Sequence, residues 1–270
     1  MIGTGAAMDG DAIRDTAHRL ADAARAAVLP HFRHMALSAD NKHARGGFDP
    51  VTEADRAAER AMRAILAQAR PGDGILGEEY ERVVGETGLT WVLDPVDGTR
   101  AFLSGAPTWG VLIAVADATG PVYGLIDQPY IGERFEGGFG HAAMTGPQGA
   151  RALATRGDRS LSEAILFTTF PEVGTAAEGA AFAELSRHVR LTRYGLDCYA
   201  YALVAAGQID LVVEAGLHPY DIHAPIAVIE AAGGIVTDWQ GRPAHGGGRV
   251  VAAAGRAQHA AALGILSRVA

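Results

Sequence analysis

Two carboxylates three positions apart, Asp94 and Asp97, stand in the stretch Thr90-Trp91-Val92-Leu93-Asp94-Pro95-Val96-Asp97-Gly98-Thr99-Arg100. Apolar, β-forming residues lead into the first acid, which predicts a buried strand ending in a tight polar turn. Acids held that close repel one another unless a cation lies between them. No Cys or His accompanies them, and a set of hard oxygen donors suits Mg²⁺ rather than zinc. Gly98 lets a ligand approach the backbone. Thr99 can open a short helix, Thr99 to Leu103 with Gly105 past its end, and a helix start is a ready place for phosphate. Carboxylates for a metal beside a phosphate cradle point to phosphoryl chemistry.

Other routes to that chemistry are excluded by inspection. A cysteine phosphatase loop needs Arg six positions after the nucleophile, and Val204 occupies that place after Cys198. The two acids are three apart rather than two, so they do not form the D-x-D-x-[TV] pattern of a phospho-enzyme nucleophile. No G-x-x-x-x-G-K-[ST] loop is present, which argues against nucleoside triphosphates. His31 and His34 are close in sequence but lack a third ligand. What remains is metal-assisted hydrolysis. Two Mg²⁺ ions about 3.5–4 Å apart would hold the phosphate, with direct attack by an activated water and no covalent intermediate.

Bulk composition agrees. The chain has 270 residues, 49% hydrophobic, with a formal net charge of −8. That is enough for one large domain or two coupled ones, and the acidic balance disfavours a nucleic-acid surface. An acidic protein handling an anionic ester needs cations to screen it. The lone Cys198 allows no internal disulfide, Met1 to Met8 lack signal-peptide character, and no apolar run reaches a membrane span. The expectation is a cytoplasmic protein acting on a small molecule, with no membrane or nucleic-acid partner.

The elements that must position these residues follow in order. Apolar residues from Ile13 to Val28 recur at helical spacing, with Asp9 or Asp11 as N-cap and Pro30 as stop. Ser38 to Phe48 is a polar loop holding Lys42, His43 and Arg45, read either as a flap over an anionic site or as a solvated loop. A second helix opens at Thr52, where Asp55 is either the partner of a capping box or a ligand. Glu78 and Glu79 follow the short apolar run Ile75-Leu76 and are either exposed or coordinating. Val111–Ala116 and Tyr123–Ile126 form a hairpin, and short strands continue through the glycine-rich 132–149 stretch. A boundary near residue 150 divides an N-terminal α+β domain (1–150) with most candidate metal ligands from a C-terminal α/β domain (151–270). In the latter, Ala164–Phe167, Leu191–Tyr194 and Leu211–Glu214 read as strands, with helices near 178–188 and 198–206. Asp221 begins a helix from Ile222 to Ala232 as N-cap or stands as a ligand, and Pro225 falls in its first turn. Strands at 235–237 and 250–253 and a helix from Ala257 to Val269 close the chain.

Taken together, Gly77-Glu78-Glu79, Asp94-Pro95-Val96-Asp97-Gly98-Thr99, and Asp221 followed by Glu230-Ala231-Ala232-Gly233-Gly234 resemble the inositol monophosphatase superfamily. The match runs in the family's order from Asp55 to Ala253. It implies an α+β fold, the layered αβαβα sandwich of the inositol monophosphatase and fructose-1,6-bisphosphatase type. It also implies a homodimer, Li⁺ inhibition and two or three Mg²⁺ ions. Carried over residue by residue, Glu78, Asp94 and the Val96 carbonyl would hold the first metal, and Asp94, Asp97 and Asp221 the second. Glu78 and Thr99 would position the attacking water. Asp55 and Glu79 would support it or a third, weaker ion. The Gly98 and Thr99 amides would bind phosphate, and Lys42 is offered as the counterpart of a mobile-loop lysine.

The same resemblance bears on the substrate. Tyr220 stands where the family often has Trp. Asp197, in Gly195-Leu196-Asp197-Cys198-Tyr199-Ala200-Tyr201, stands where inositol phosphatases usually have a small residue. Glu214 holds the substrate-hydroxyl position. Two carboxylates facing the leaving group favour a cationic alcohol such as histidinol over neutral inositol; the competing reading makes Asp197 a cap for the helix at Cys198. With Leu217-His218-Pro219-Tyr220-Asp221 and Ile126-Asp127-Gln128-Pro129, the pattern is similar to the histidinol-phosphatase branch. The expectation is a Mg²⁺-dependent histidinol-phosphate phosphatase of histidine biosynthesis. The alternatives are an inositol-1-phosphate or broad sugar-phosphate phosphatase, a nucleotide 3′-phosphatase, or an inert regulatory or binding member.

Overall fold

Alternation along the strands separates the apolar residues into two sets, and this determines the layering. The computed structural model describes residues 9–34, 40–41 and 50–269. In chain order these form α1 (Gly10–Val28), β1 (Asp40–Asn41), β2 (Pro50–Val51), α2 (Glu53–Ala69), β3 (Gly74–Gly77), β4 (Thr90–Asp97), α3 (Thr99–Ser104), β5 (Gly110–Asp117), β6 (Gly120–Gln128), β7 (Glu133–Gly138), β8 (His141–Gly146) and β9 (Gly149–Ala152). There follow β10 (Ile165–Thr168), α4 (Ala176–Ser186), β11 (Leu191–Tyr194), α5 (Cys198–Ala205), β12 (Leu211–Leu217), α6 (Pro219–Ala231), β13 (Ile235–Thr237), β14 (Gly248–Ala253) and α7 (Arg256–Leu266). β3 to β9 lie side by side in sequence order, antiparallel except for the parallel β3–β4 pair. The second sheet has the order β11-β10-β12-β14-β13, parallel in its first three strands.

On β5, Val111, Ile113 and Val115 face one cluster with α1 and α2. Leu112, Ala114 and Ala116 face another, with α5 and α6. On β12, Val212 joins α5 and α6 in that central cluster, while Leu211 and Val213 turn outward to α4 and α7. Both sheets are therefore covered on both faces, and the layers read α1/α2, large sheet, α5/α6, small sheet, α4/α7. This is the αβαβα sandwich expected from the sequence. Among the described residues no helix is long and apolar enough to cross a membrane. Lys42 lies outside the described residues, as does the 38–48 loop apart from residues 40 and 41.

Local chemistry explains most helix boundaries. Asp9 caps α1, its carboxylate accepting from the Ala12 N–H at 3.1 Å, and α1 stops before Pro30. Thr52 and Asp55 form a complete capping box at α2. The central helix α6 differs. It is buried from Ile222 to Ile229 without a polar stripe, as a helix between two sheets must be. It sits close to the large sheet because Gly124 and Gly137 lack side chains. A Cβ at Gly124 would lie 2.4 Å from the Ala224 carbonyl oxygen, and one at Gly137 2.7 Å from the Val228 Cα.

Two local expectations are corrected here. Helix α6 starts at Pro219 with His218 as N-cap, so Asp221 is not the cap. It stands third in the helix, within the first turn, and its carboxylate accepts the His218 N–H at 2.7 Å. The first position is taken by Pro219, which has no N–H to leave unsatisfied there, and Pro225 is inside the helix rather than in its first turn. Its missing N–H is tolerated where neighbouring layers hold the helix from both sides.

Candidate active site

Strand β4 aims the central acids by an irregularity. Side chains alternate along a strand, so residues three apart should point to opposite faces. The ladder to β5 pairs Asp94 with Leu112 and then slips, so that Asp97 pairs with Gly110. Pro95, with no N–H to give the ladder, sits inside that slip. The strand thus runs on through Asp97, past the point at which the sequence predicted its turn. Its bulge turns both carboxylates to one side. Asp94 is 2% exposed, and its Oδ1 accepts the Val96 N–H at 3.0 Å. Gly98 then takes φ +84° and caps α3. A Cβ there would fall 2.7 Å from the Asp197 Cγ, so the backbone passes against that acid as only glycine allows.

Asp221 comes in from α6. One carboxylate oxygen from each of Asp94, Asp97 and Asp221 lies within 4.8 Å of the others. Burial pushes the Asp94 carboxyl well above its ordinary range, and the negative charges of Glu78, Asp97 and Asp221 push it further. Asp97 is raised likewise by burial and then by Asp197 and Asp221, against the hydrogen bond from the Cys198 N–H at 2.6 Å. Carboxylates that raise one another in this way are stable together as anions only around a cation. An all-oxygen donor set of this spacing fits Mg²⁺.

The elements around this triad bring in most other residues singled out by sequence. Glu78, at the end of β3, lines the same cavity, of about 430 Å³, as Val96, Gly98, Thr99, Asp197 and Glu214. Thr99 Oγ1 lies 3.1 Å from the Val96 carbonyl oxygen and 3.4 Å from Asp55 Oδ1, and donates to one at a time. Asp55, fully buried, is the capping-box partner that the sequence offered as one reading, and it also meets Thr99. Its Oδ2 caps α2 through the Thr52 N–H at 2.9 Å and the Thr52 hydroxyl, while Oδ1 faces Thr99. Burial raises its carboxyl, and the Thr52 bonds oppose that. Glu79 does not line the cavity. Its N–H donates to Glu59 Oε2 at 2.7 Å, and Glu59 is held by Arg63 at 2.8 Å.

A further part of the cavity lining comes from the small sheet and α5. Asp197 occupies the N-cap position of α5 but makes no capping hydrogen bond with its side chain, so the cap reading fails. Its carboxylate instead accepts from Thr108 Oγ1 at 3.4 Å. Burial raises it to about 6, with Thr108 and the Arg100 charge opposing. The chain reaches it through three successive left-handed residues, Gly195 (φ 90°), Leu196 (φ 83°) and Asp197 (φ 48°). Two of these carry side chains, a conformation that costs of order 1–3 kcal/mol per residue and collects at functional sites. Glu214, on β12, accepts the Thr169 N–H at 3.0 Å and hydroxyl at 2.6 Å on Oε1. Burial raises it to about 7, Thr169 opposes, and Asp97 and Asp197 add to the rise.

Sequence reasoning did not single out Thr169, Phe170 and Tyr201 on this wall, nor Arg100 on α3. Arg100 stands over the Phe170 ring at 4.9 Å at the rim. Nothing in the local pattern marks Thr169 or Phe170, because a strand end meets a distant glutamate only through the sheet. Tyr201 had a signal, being four residues from Asp197 and so on the same face of a helix.

Comparison with known proteins agrees with this geometry. The sequence model of the inositol monophosphatase family matches residues 9–269. A bifunctional phosphatase of the chloroplast of Arabidopsis thaliana, IMPL2, is 40% identical over 225 residues; these are 83% of this chain but 63% of that protein. A histidinol-phosphatase of Streptomyces coelicolor is 37% identical over 260 residues, 93% of this chain and 96% of that one. A solved inositol monophosphatase from Zymomonas mobilis superposes with a TM-score of 0.83 at 40% identity, covering 97% of this chain and 99% of its own.

Proposed function

The chain belongs to the inositol monophosphatase family, and from that premise we propose that it is a Mg²⁺-dependent phosphate monoester hydrolase whose preferred substrate is histidinol phosphate. One observation carries the substrate reading: Asp197, against the Gly98 backbone, and Glu214 both line the cavity that Gly98 and Thr99 line. Asp197 does so without serving its helix as a cap. Two buried carboxylates there favour an alcohol that brings positive charge.

In this reading Asp94, Asp97 and Asp221 hold Mg²⁺, with Glu78 and the Val96 carbonyl as further oxygen donors. Bound Mg²⁺ supplies charge neutralisation for the phosphate and lowers the pKa of water at the site. The chain's own groups do the rest. Gly98 and Thr99 turn their amides to the phosphate oxygens. Thr99 Oγ1, hydrogen-bonded toward Asp55 Oδ1, orients the attacking water and can pass its own proton to Asp55 while taking one from the water. Glu78 orients the same water from the β3 side. Asp197 and Glu214, raised by burial to about 6 and about 7, are drawn toward the ionised form by an ammonium or imidazolium beside them.

The test is Mg²⁺-dependent phosphate release from L-histidinol phosphate and myo-inositol 1-phosphate, compared as kcat/KM. The expected preference for histidinol phosphate is about a hundredfold, near 2.7 kcal/mol. Asp197→Ala is expected to remove most of it; equal losses on both esters would sink the selectivity argument. A second reading, an inositol-phosphate phosphatase, has support of its own in the likeness to the Zymomonas mobilis inositol monophosphatase. Equal or reversed preference would favour it.

A further inference from the structure

Helix α5 contributes a polar group to the cavity that the reading above leaves unused. Tyr201 is 3% exposed and lines the cavity, yet its hydroxyl makes no hydrogen bond among the described residues. A buried hydroxyl without a partner is a cost to the fold, and a phenylalanine would fill the same space without that cost. The charges nearest to it are, in order of influence, Glu214, Asp97 and Asp221, and with burial they keep its proton on. The group is therefore a donor, set among carboxylates that it does not reach.

Its place in the fold says which half of the substrate it meets. Asp197, just before α5, and Tyr201, within it, both line the cavity, and α5 packs against β12, which carries Glu214. All three lie on the wall of the small-sheet side. The amides of Gly98 and Thr99, which the reading above gives to the phosphate, come from the end of β4, where Gly98 borders Asp197.

We infer that the Tyr201 hydroxyl donates a hydrogen bond to a polar atom of the substrate's alcohol half, beyond the ester oxygen, and so selects alcohols that carry an acceptor there. The inference rests on the site being a phosphomonoesterase, but not on which alcohol it prefers. A neutral imidazole nitrogen and a hydroxyl both qualify as acceptors. Because the alcohol would lose this bond alone, the effect is one of specificity.

The experiment is Tyr201→Phe, which removes one oxygen and keeps the ring. Its melting temperature is expected to equal or exceed the parent's, since no bond inside the protein is lost. Its kcat/KM is compared on L-histidinol phosphate, myo-inositol 1-phosphate and phenyl phosphate, the last having no polar atom beyond the ester oxygen. The better of the first two substrates is expected to lose about tenfold, the scale of one hydrogen bond. Phenyl phosphate and the Mg²⁺ dependence are expected to be unchanged. A loss on phenyl phosphate of the same size would put the hydroxyl on the phosphate or the metal ligands and overturn the inference. So would no loss on any ester, or a lower melting temperature that accounts for the loss. If inositol phosphate proves the better substrate, the preference for histidinol phosphate fails while the Tyr201 comparison still stands. Calorimetric binding of free L-histidinol and myo-inositol to the two proteins, with Mg²⁺ and inorganic phosphate present, reads the same ratio without turnover. An unchanged ratio there also overturns it.

Discussion

At Asp97 three demands meet: it closes the β4 bulge, accepts the first N–H of α5, and shares its surroundings with Asp94, Asp197 and Asp221. Asparagine keeps the shape and an acceptor oxygen but removes the charge. Asp97→Asn is therefore expected to lower kcat by at least about a hundredfold, the scale of removing one preorganised electrostatic group. In EDTA, where no cation offsets the repulsion, the variant is expected to melt at the parent temperature or above it. Wild-type turnover would show that the triad does not hold the catalytic metal. A clear fall in melting temperature in EDTA would make Asp97 chiefly a structural residue. Reading single residues from the sequence worked where their neighbours are local, as with Asp55 and Thr52. For Asp197 it offered the cap only as the competing reading, and the missing cap bond had to come from the structure, because only packing decides what else its carboxylate meets.

Among the elements, α1 is tied to the large sheet through Glu136 on β7. Its carboxylate accepts from the Tyr123 hydroxyl at 2.7 Å and lies 3.2 Å from His18, 3.3 Å from His141 and 3.5 Å from Arg14. Burial works to raise its pKa, but the hydrogen bonds from His18 and Tyr123 and the charges of His18 and Arg14 outweigh that and hold it at about 2, against an ordinary 4.5. A depressed carboxylate stabilises the fold fully above its unfolded pKa, and the contribution is lost as pH falls from 4.5 towards 2. In urea unfolding between pH 5 and 3.5, Glu136→Gln is expected to show a shallower pH dependence than the parent. The parent's advantage at pH 6 is expected to be about 2 kcal/mol at most. Parallel profiles would remove Glu136 from the acid response. None of these partners is near Glu136 in the chain except His141, so this tie was not legible in the sequence, although α1 itself was.

For the whole molecule, the triad links layers: Asp94 and Asp97 belong to the large sheet, and Asp221 to the helix between the sheets. A cation bound there stabilises the folded chain by mass action. At a Mg²⁺ concentration of a hundred times Kd the gain is about 2.7 kcal/mol, and the melting temperature is expected to rise by about 5 °C or more. The rise is expected to vanish in Asp221→Asn; a Mg²⁺-insensitive melting curve for the parent would refute cation binding at the triad. The sequence by itself determined what acts over short range. Helix starts at Asp9 and Thr52, the stop before Pro30, the αL turn at Gly98, strand alternation and the acidic motif all depend on neighbours within a turn or a pleat. Only the tertiary structure decided what depends on distant chain segments. It brought Asp221 beside Asp94, turned two acids of opposite strand faces to one side through a slip against β5, placed Glu214 under Thr169, and left Tyr201 buried without a partner. The reason is physical: backbone periodicity sets which way a side chain faces, whereas the packing of separate elements sets what it meets.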